Sequence, residues 1–422
     1  MTGRGSGTST RSDRQAPERL GPRPLPLHLA FTGLTWTLSR AVLPNWKSVS
    51  LAWNQKIAEG RENLLREAGN LDPESLAPAL DKEIADRAAR FAAALDNYRH
   101  HPYRRQESPQ ETVWSEGTTR LVDFGPPEST PVGPPLLLVP SLVNRAYILD
   151  LKPDCSLVRW LKEQGFRVFL ADWGAPGAEE RGFALDDYIG RRLSTMLDRV
   201  LALGGNRPVL VGYCMGGLLA LALAQQRRAD LRGLALLATP WDFHVPSSER
   251  SQLVAGSFFA FTPLMAAAGV LPVDAIQALF ASLDPLLAVR KYLAFGTRDP
   301  DTAAARTFVA LEDWLNDGVA LTIPVATECL LGWYGRNAPA LGEWRVGGRP
   351  VEPEGIDLPA LCLVPEGDRI VPPEAAAALA GRMPNCQTLR PKAGHIGMIV
   401  SAGARARVWR PLADWMASLP GE

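Results

Sequence analysis

From Pro134 onward the chain alternates short apolar runs with longer helical segments, the pattern of a mostly parallel β-sheet covered by helices. Five runs, PPLLLVP, FRVFLADW, RPVLVGY, LRGLALLATP and LPALCLVP, are too short for typical helices and are bounded by proline, glycine or charge. They predict strands buried on both faces. Upstream, Thr112–Phe124 (TVWSEGTTRLVDF) predicts two short strands around a Glu-Gly turn. Leu29–Tyr98 reads as helical, and Ile84, Ala88, Phe91, Leu95 and Tyr98 recur at three- and four-residue steps that place them on one face. Such a stripe needs a partner surface. Docking onto the main domain is the expectation, and a partner helix or a hydrophobic particle surface is the alternative.

Between the fourth and fifth runs lie the residues from Trp241 to Asp357, far more than a crossover needs, so they predict an inserted cap. Within it, the charge-free stretch between Arg250 and Asp274 is long enough to span a membrane. Gly256, Pro263, Gly269 and Pro272 interrupt it, and it separates two parts of one fold, so an apolar piece of cap is expected instead. Met1–Leu27 is rich in Arg, Gly, Ser, Thr and Pro and lacks the apolar core of a secretory signal, which predicts a disordered tail. The expected organisation is therefore a tail over 1–27, a helical extension over 28–110, and an α/β domain over 111–422 with its cap at about 241–357.

Composition narrows the function classes. Lys plus Arg and Asp plus Glu are both 45, so no global charge points to nucleic acid or an acidic membrane. The five cysteines are widely spread, without CxxC spacing, which predicts a reducing, cytoplasmic setting and no zinc or redox site. No GxxxxGK[ST] loop is present, and the His100-His101 pair that breaks the helix before Pro102 is expected at the surface rather than as a ligand pair.

The candidate chemistry centres on Val209-Leu-Val-Gly-Tyr-Cys214-Met-Gly-Gly, a strand, a G-x-C-x-G turn and an apolar helix. This is a nucleophile elbow with cysteine in place of serine. Gly212 and Gly216 are needed because side chains there would collide with neighbouring backbone. The helix that follows aims its N-terminus at the sulfur, favouring a thiolate and any oxyanion formed beside it. Alone, the motif is equally a small cysteine buried in a turn. Chain order tips the balance, because Asp368 (EGDRIVPPEAA) and His395 (KAGHIGMIV) each follow a predicted strand, in the order nucleophile, acid, histidine. Cys214, Asp368 and His395 are thus the candidate triad. The oxyanion hole is expected to pair the Met215 amide with that of Leu142 or Val143, in the loop Pro140–Arg145. Asp172 reads as a turn-capping carboxylate outside the site.

These segments resemble the polyhydroxyalkanoate synthases, cytoplasmic enzymes of the α/β-hydrolase fold that polymerise hydroxyacyl-coenzyme A thioesters. VPSLVNRAYILDLKPDCSLVRWLKEQGFRVFLADWG is similar to the family's oxyanion-loop block, GYCMGG to its elbow, and ATPWDF to the start of its cap. GDRIVPPE and AGHIGMIVSAGA are similar to its acid and histidine blocks, although Arg369 stands where the family usually has histidine. The resemblance implies that Cys214 carries the acyl chain, that His395 is the general base, and that Asp368 supports it or helps to activate the incoming hydroxyl. It also implies no cofactor, coenzyme A being part of the substrate. The partners it implies are a homodimer mate or a second synthase subunit and a polyester granule surface.

A thiol suits such substrates, since transfer between thioesters is nearly isoenergetic whereas forming a thioester from an oxygen ester runs uphill. If the cap excludes water, a hydroxyl takes the acyl group; if it admits water, the same site is a thioesterase or polyester depolymerase. Leu253–Leu271 is the stretch expected to exclude water. The third alternative is a granule-associated or partner-binding protein with a vestigial site.

Overall fold

The computed structural model describes residues 18–48, 55–68, 71–106, 110–127 and 132–420. Three helices lead the chain: α1 (Leu25–Val42), α2 (Gln55–Ala68) and α3 (Pro73–His100). Asp72 caps α3 by accepting from the Glu74 amide, and proline at the first helical position costs no hydrogen bond there. The hairpin β1 (Glu111–Glu116) and β2 (Thr119–Asp123) follows. Then come β3 (Leu136–Val139), α4 (Leu157–Glu163), β4 (Val168–Asp172), α5 (Ser194–Gly204), β5 (Val209–Tyr213), α6 (Met215–Gln226) and β6 (Gly233–Leu237). The cap carries α7 (Ser248–Ala268), α8 (Val273–Leu283), α9 (Leu287–Gly296) and α10 (Ala303–Asn316). The chain returns to the sheet with β7 (Ala360–Leu363), α11 (Pro373–Ala380), β8 (Cys386–Leu389) and α12 (Arg410–Ala417).

The strands form one sheet in the order β1-β2-β4-β3-β5-β6-β7-β8. The pairs β1/β2 and β2/β4 are antiparallel, and every later pair is parallel. All five apolar runs are strands. Their continuous hydrophobicity is explained by burial on both faces: Leu137 and Val139 pack toward α5 and α6, whereas Leu136 and Leu138 pack toward α4 and α12. Asp172, at the end of β4, accepts from the Gly174 amide at 3.1 Å, the turn-capping role its position suggested.

The Phe91, Leu95 and Tyr98 stripe of α3 docks on the main domain as expected, and there on its cap, packing with Val289, Tyr292, Phe295 and Val309. Tyr292 meets both Phe91 and Tyr98 edge-on, with ring centroids 6.2 and 5.5 Å apart. Residues 18–27, expected within a disordered tail, are also packed on the cap. Arg19 forks onto Asp313 at 2.6 and 2.7 Å and donates to the His101 and Tyr103 carbonyls. His101 itself is buried, its Nε2 3.0 Å from the Pro300 carbonyl, so only His100 stays at the surface.

The expectation for α7 is revised. Gly256 and Pro263 do not interrupt it; the helix runs through both and ends at Gly269, which takes the left-handed conformation that glycine tolerates. By length and composition alone α7 could cross a membrane. Here it is a cap helix lying along Glu328–Gly335, tied by the Gln252 side chain to the Gly335 carbonyl at 2.7 Å. Most of it faces solvent, with Leu253 77% and Phe259 69% exposed.

Because Tyr292 is fully buried where extension and cap meet, Tyr292→Ala should cost about 3–5 kcal/mol, the range for deleting a buried aromatic ring. Denaturant unfolding measures the loss, and limited proteolysis should cut the extension faster while sparing the sheet domain.

Candidate functional site

The parallel strands β5, β7 and β8 deliver their following loops to one edge of the sheet, and Cys214, Asp368 and His395 lie just beyond them. Cys214 sits between β5 and α6 with φ 56° and ψ −128°, a conformation that costs a non-glycine residue of order 1–3 kcal/mol. The turn is held by its surroundings. The Cys214 amide donates to the Leu237 carbonyl at 2.8 Å. A methyl group on Gly212 would lie 2.4 Å from Gly217 Cα, and one on Gly216 would lie 2.1 Å from the Val139 carbonyl oxygen. Both glycines read from the motif are therefore steric requirements, and Gly217, against Thr239 at 1.8 Å, is a third that the motif did not single out.

Asp368 is oriented by two amides, those of Ile370 and Val371, which donate to Oδ1 at 2.8 and 2.9 Å. Its other oxygen accepts from His395 Nδ1 at 2.6 Å. That bond leaves Nε2 for Cys214, the ring's partner on the other side. Tyr213 stacks on the imidazole with centroids 5.3 Å apart, and its hydroxyl donates to the His395 carbonyl at 3.2 Å. Burial works against charge on this histidine. The Cys214 sulfur and the Asp368 carboxylate outweigh burial and push its pKa up to about 10.

The expected oxyanion residues lie beside the elbow. Met215 opens α6 directly after Cys214, and the chain around Val139 and Pro140 packs on Gly216. The Val143 amide donates to Ser141 Oγ at 3.2 Å, and the Leu142 side chain is turned into the core. This loop is also fastened to the cap. Asn144 bridges to Gly318, the Val319 amide donates to the Val143 carbonyl at 2.9 Å, and Trp314 donates to the Arg145 carbonyl at 2.8 Å.

Cys214, Tyr213 and His395 open into a cavity of about 320 Å³. Its apolar wall comes from α8, α9 and α10, through Phe280, Leu283, Leu287 and Leu315, and not from α7 as its apolar composition suggested. Pro22, Arg23 and His28 of the extension close another side. Sequence reasoning missed Tyr213, which adjoins the cysteine within the motif, and the extension residues, for which no local signal exists. Arg369 stands at the cavity edge, 83% exposed and 3.5 Å from Asp284 of the cap. All five cysteines are free, and among the described residues no group of three or more His, Cys, Asp or Glu side chains is placed to hold a metal ion.

Residues 134–402 match the family described as alpha/beta hydrolase fold, and residues 106–161 match the poly-beta-hydroxybutyrate polymerase (PhaC) N-terminus. The poly(3-hydroxyalkanoate) polymerase subunit PhaC of Synechocystis sp. is 31% identical over 319 residues, covering 74% of this chain and 84% of its own length. The subunit of the same name from Allochromatium vinosum is 31% identical over 317 residues, 73% of this chain and 88% of its own. In Haloferax mediterranei the corresponding subunit is 31% identical over 315 residues, and the chain spans 64% of that longer relative. The fold is thus that of an α/β hydrolase. Within it, the chain belongs to the poly(3-hydroxyalkanoate) polymerase family.

His395 meets Cys214 and Asp368 only on folding, so its folded pKa lies above the unfolded value of 6.5. The stabilisation its charge brings should be complete below about 6.5 and lost as pH rises through about 10. Unfolding measured across that window should show the decline. Cys214→Ala, which removes the sulfur that raises the pKa of His395, should shift the imidazole titration seen by NMR downward and flatten the slope.

Proposed function

We propose that this chain polymerises (R)-3-hydroxyacyl-coenzyme A, with Cys214 as the acyl-carrying nucleophile, His395 as base and acid, and Asp368 as the group that orients and charges His395. The observation that carries the reading is a cysteine at a strained elbow, backed by a buried carboxylate–imidazole pair and opening into a mainly apolar cavity. The Cys214 thiolate attacks the thioester carbonyl, forming a carbon–sulfur bond. The oxyanion is received by the Met215 amide and one from Leu142 or Val143. As the carbonyl re-forms, coenzyme A leaves and takes the proton from the His395 imidazolium. The neutral imidazole then removes the proton of an incoming hydroxyl, whose oxygen attacks the acyl-cysteine and regenerates the thiol pair. Each thioester cleaved adds one ester bond, and Asp368 keeps Nε2 directed at the reacting atoms throughout.

The cap decides between hydroxyl and water. The walls supplied by Phe280, Leu283, Leu287 and Leu315 favour an acyl chain over ordered water, and with it transfer over hydrolysis. On the same reading, the exposed Leu253, Phe259 and Leu264 of α7 offer an apolar surface for a second subunit or a polyester granule. The relatives named above are themselves described as subunits.

Incubation with 3-hydroxybutyryl-coenzyme A should release coenzyme A and load the Cys214 peptide with a ladder of hydroxyacyl units, read by mass spectrometry. A single unit with stoichiometric free hydroxyacid would mean a thioesterase, and an unmodified Cys214 would reject the reading. Cys214→Ala should carry no acyl group. Asp368→Asn, which leaves the imidazole in the wrong tautomer, should lower turnover by about a thousandfold or more.

A further inference from the structure

The charged side chains around the cavity are matched unevenly. Arg23 pairs with Asp274, Arg145 with Asp317, and Lys291 with Glu312, one cation to one carboxylate in each case. The rim at Asp284, the residue that ends α8, departs from this pattern. Arg290 of α9 holds Asp284 Oδ2, and Arg369 reaches the same oxygen only at 3.5 Å. Two guanidinium groups thus share one carboxylate, and among the described residues neither has another acidic partner. One positive charge is left over.

Arg369 is the less committed of the two. Its side chain is 83% exposed, against 55% for Arg290. An ion pair so long and so exposed contributes little to holding cap and sheet domain together. Its position is nevertheless fixed. Arg369 directly follows Asp368, and the Ile370 and Val371 amides that donate to Asp368 Oδ1 close the turn around it. The turn that orients the Asp368 carboxylate therefore also sets where the guanidinium projects, at the edge of the cavity.

A coenzyme A thioester has a group that suits this charge. Its carbonyl lies at one end of the pantetheine arm, and its pyrophosphate and 3′-phosphate lie at the other. Walls made by Phe280, Leu283, Leu287 and Leu315 cannot receive phosphates, because burying unpaired charge is costly. The nucleotide half must stay at the rim, where a planar guanidinium can fork onto phosphate oxygens. We infer that Arg369, supported by Arg290, binds the phosphates of the coenzyme A half of the substrate, which take the place of Asp284 as its counter-ion. This rests on the acyl-coenzyme A reading above.

The test compares the 3-hydroxybutyryl thioesters of coenzyme A and of pantetheine, which lacks every phosphate, by the thiol each releases from the full chain at low salt. Arg369→Gln should raise KM for the coenzyme A thioester about three- to tenfold with kcat little changed. KM for the pantetheine thioester should not move. Arg369→Lys, which keeps the charge, should recover part of the loss, and added salt should shrink the gap between wild type and Arg369→Gln. Asp284→Asn should act in the opposite direction, lowering KM for the coenzyme A thioester, because it removes the carboxylate that competes with phosphate. With the 3′-dephospho-coenzyme A thioester, loss of the Arg369 effect assigns the 3′-phosphate, and its persistence assigns the pyrophosphate. An equal rise in KM with both thioesters, a fall in kcat without a rise in KM, or an unchanged KM in Arg369→Gln overturns the inference. So does a rise in KM in Asp284→Asn, which would mean that the contact serves to hold the cap. If wild-type protein releases thiol from neither thioester and Cys214 stays unacylated, the thioester reading itself falls, and the assignment of Arg369 with it.

Discussion

The site depends on one backbone constraint, the positive φ of Cys214 at the junction of β5 and α6. A residue there is held off the sheet only if the chain before and after it approaches other backbone closely. Gly212, Gly216 and Gly217 permit those approaches, to Gly217, to Val139 and Pro140, and to Thr239. The strain is therefore balanced by packing that a single added methyl group would disturb. The same close approach brings the loop after β3 against the start of α6, so that loop and the elbow pack as one unit.

Around that unit, charge is arranged in layers. The Asp368 carboxylate is fixed by two backbone amides and in turn fixes His395. Tyr213 braces the ring from its face. The cap then covers the pair with aliphatic and aromatic side chains, so the electrostatic coupling between sulfur and imidazole acts with little solvent to screen it. The cap is no passive cover, because its Gly318–Val319 segment is bonded to the Pro140–Arg145 loop. Displacement of that segment would disturb the Pro140–Arg145 loop beside the elbow.

Much of this was legible in local sequence. Continuous apolar runs gave the central strands because burial on both faces leaves no alternation to read, and G-x-C-x-G with Asp368 and His395 in order gave the residues that meet at the sheet edge. What failed had a common cause, because periodicity shows which residues share a face but not what covers them. The stripe of α3 and its docking on the main domain were legible, but the cap as the part it meets was not, because those residues lie some two hundred positions later. The apolar composition of α7 suggested shelter for the site, but its hydrophobic residues point in all directions and most remain at the surface. Proline inside it was read as a break, although an exposed helix tolerates one lost backbone hydrogen bond when its other turns persist. His28 and Arg23 carried no motif at all, since their place on the cavity wall comes only from where α1 is docked.

That docking has a consequence for how the chain is made. Tyr98 finds Asp313 across 215 residues, and Arg19 reaches it across 294. During synthesis at about 5–20 residues per second, the extension emerges roughly 10–40 s before the surface it packs on. For that interval Phe91, Leu95 and Tyr98 are an uncovered apolar stripe on a nascent helix. The side of the cavity formed by Pro22, Arg23 and His28 therefore stays open until cap helices made much later in the chain reach it.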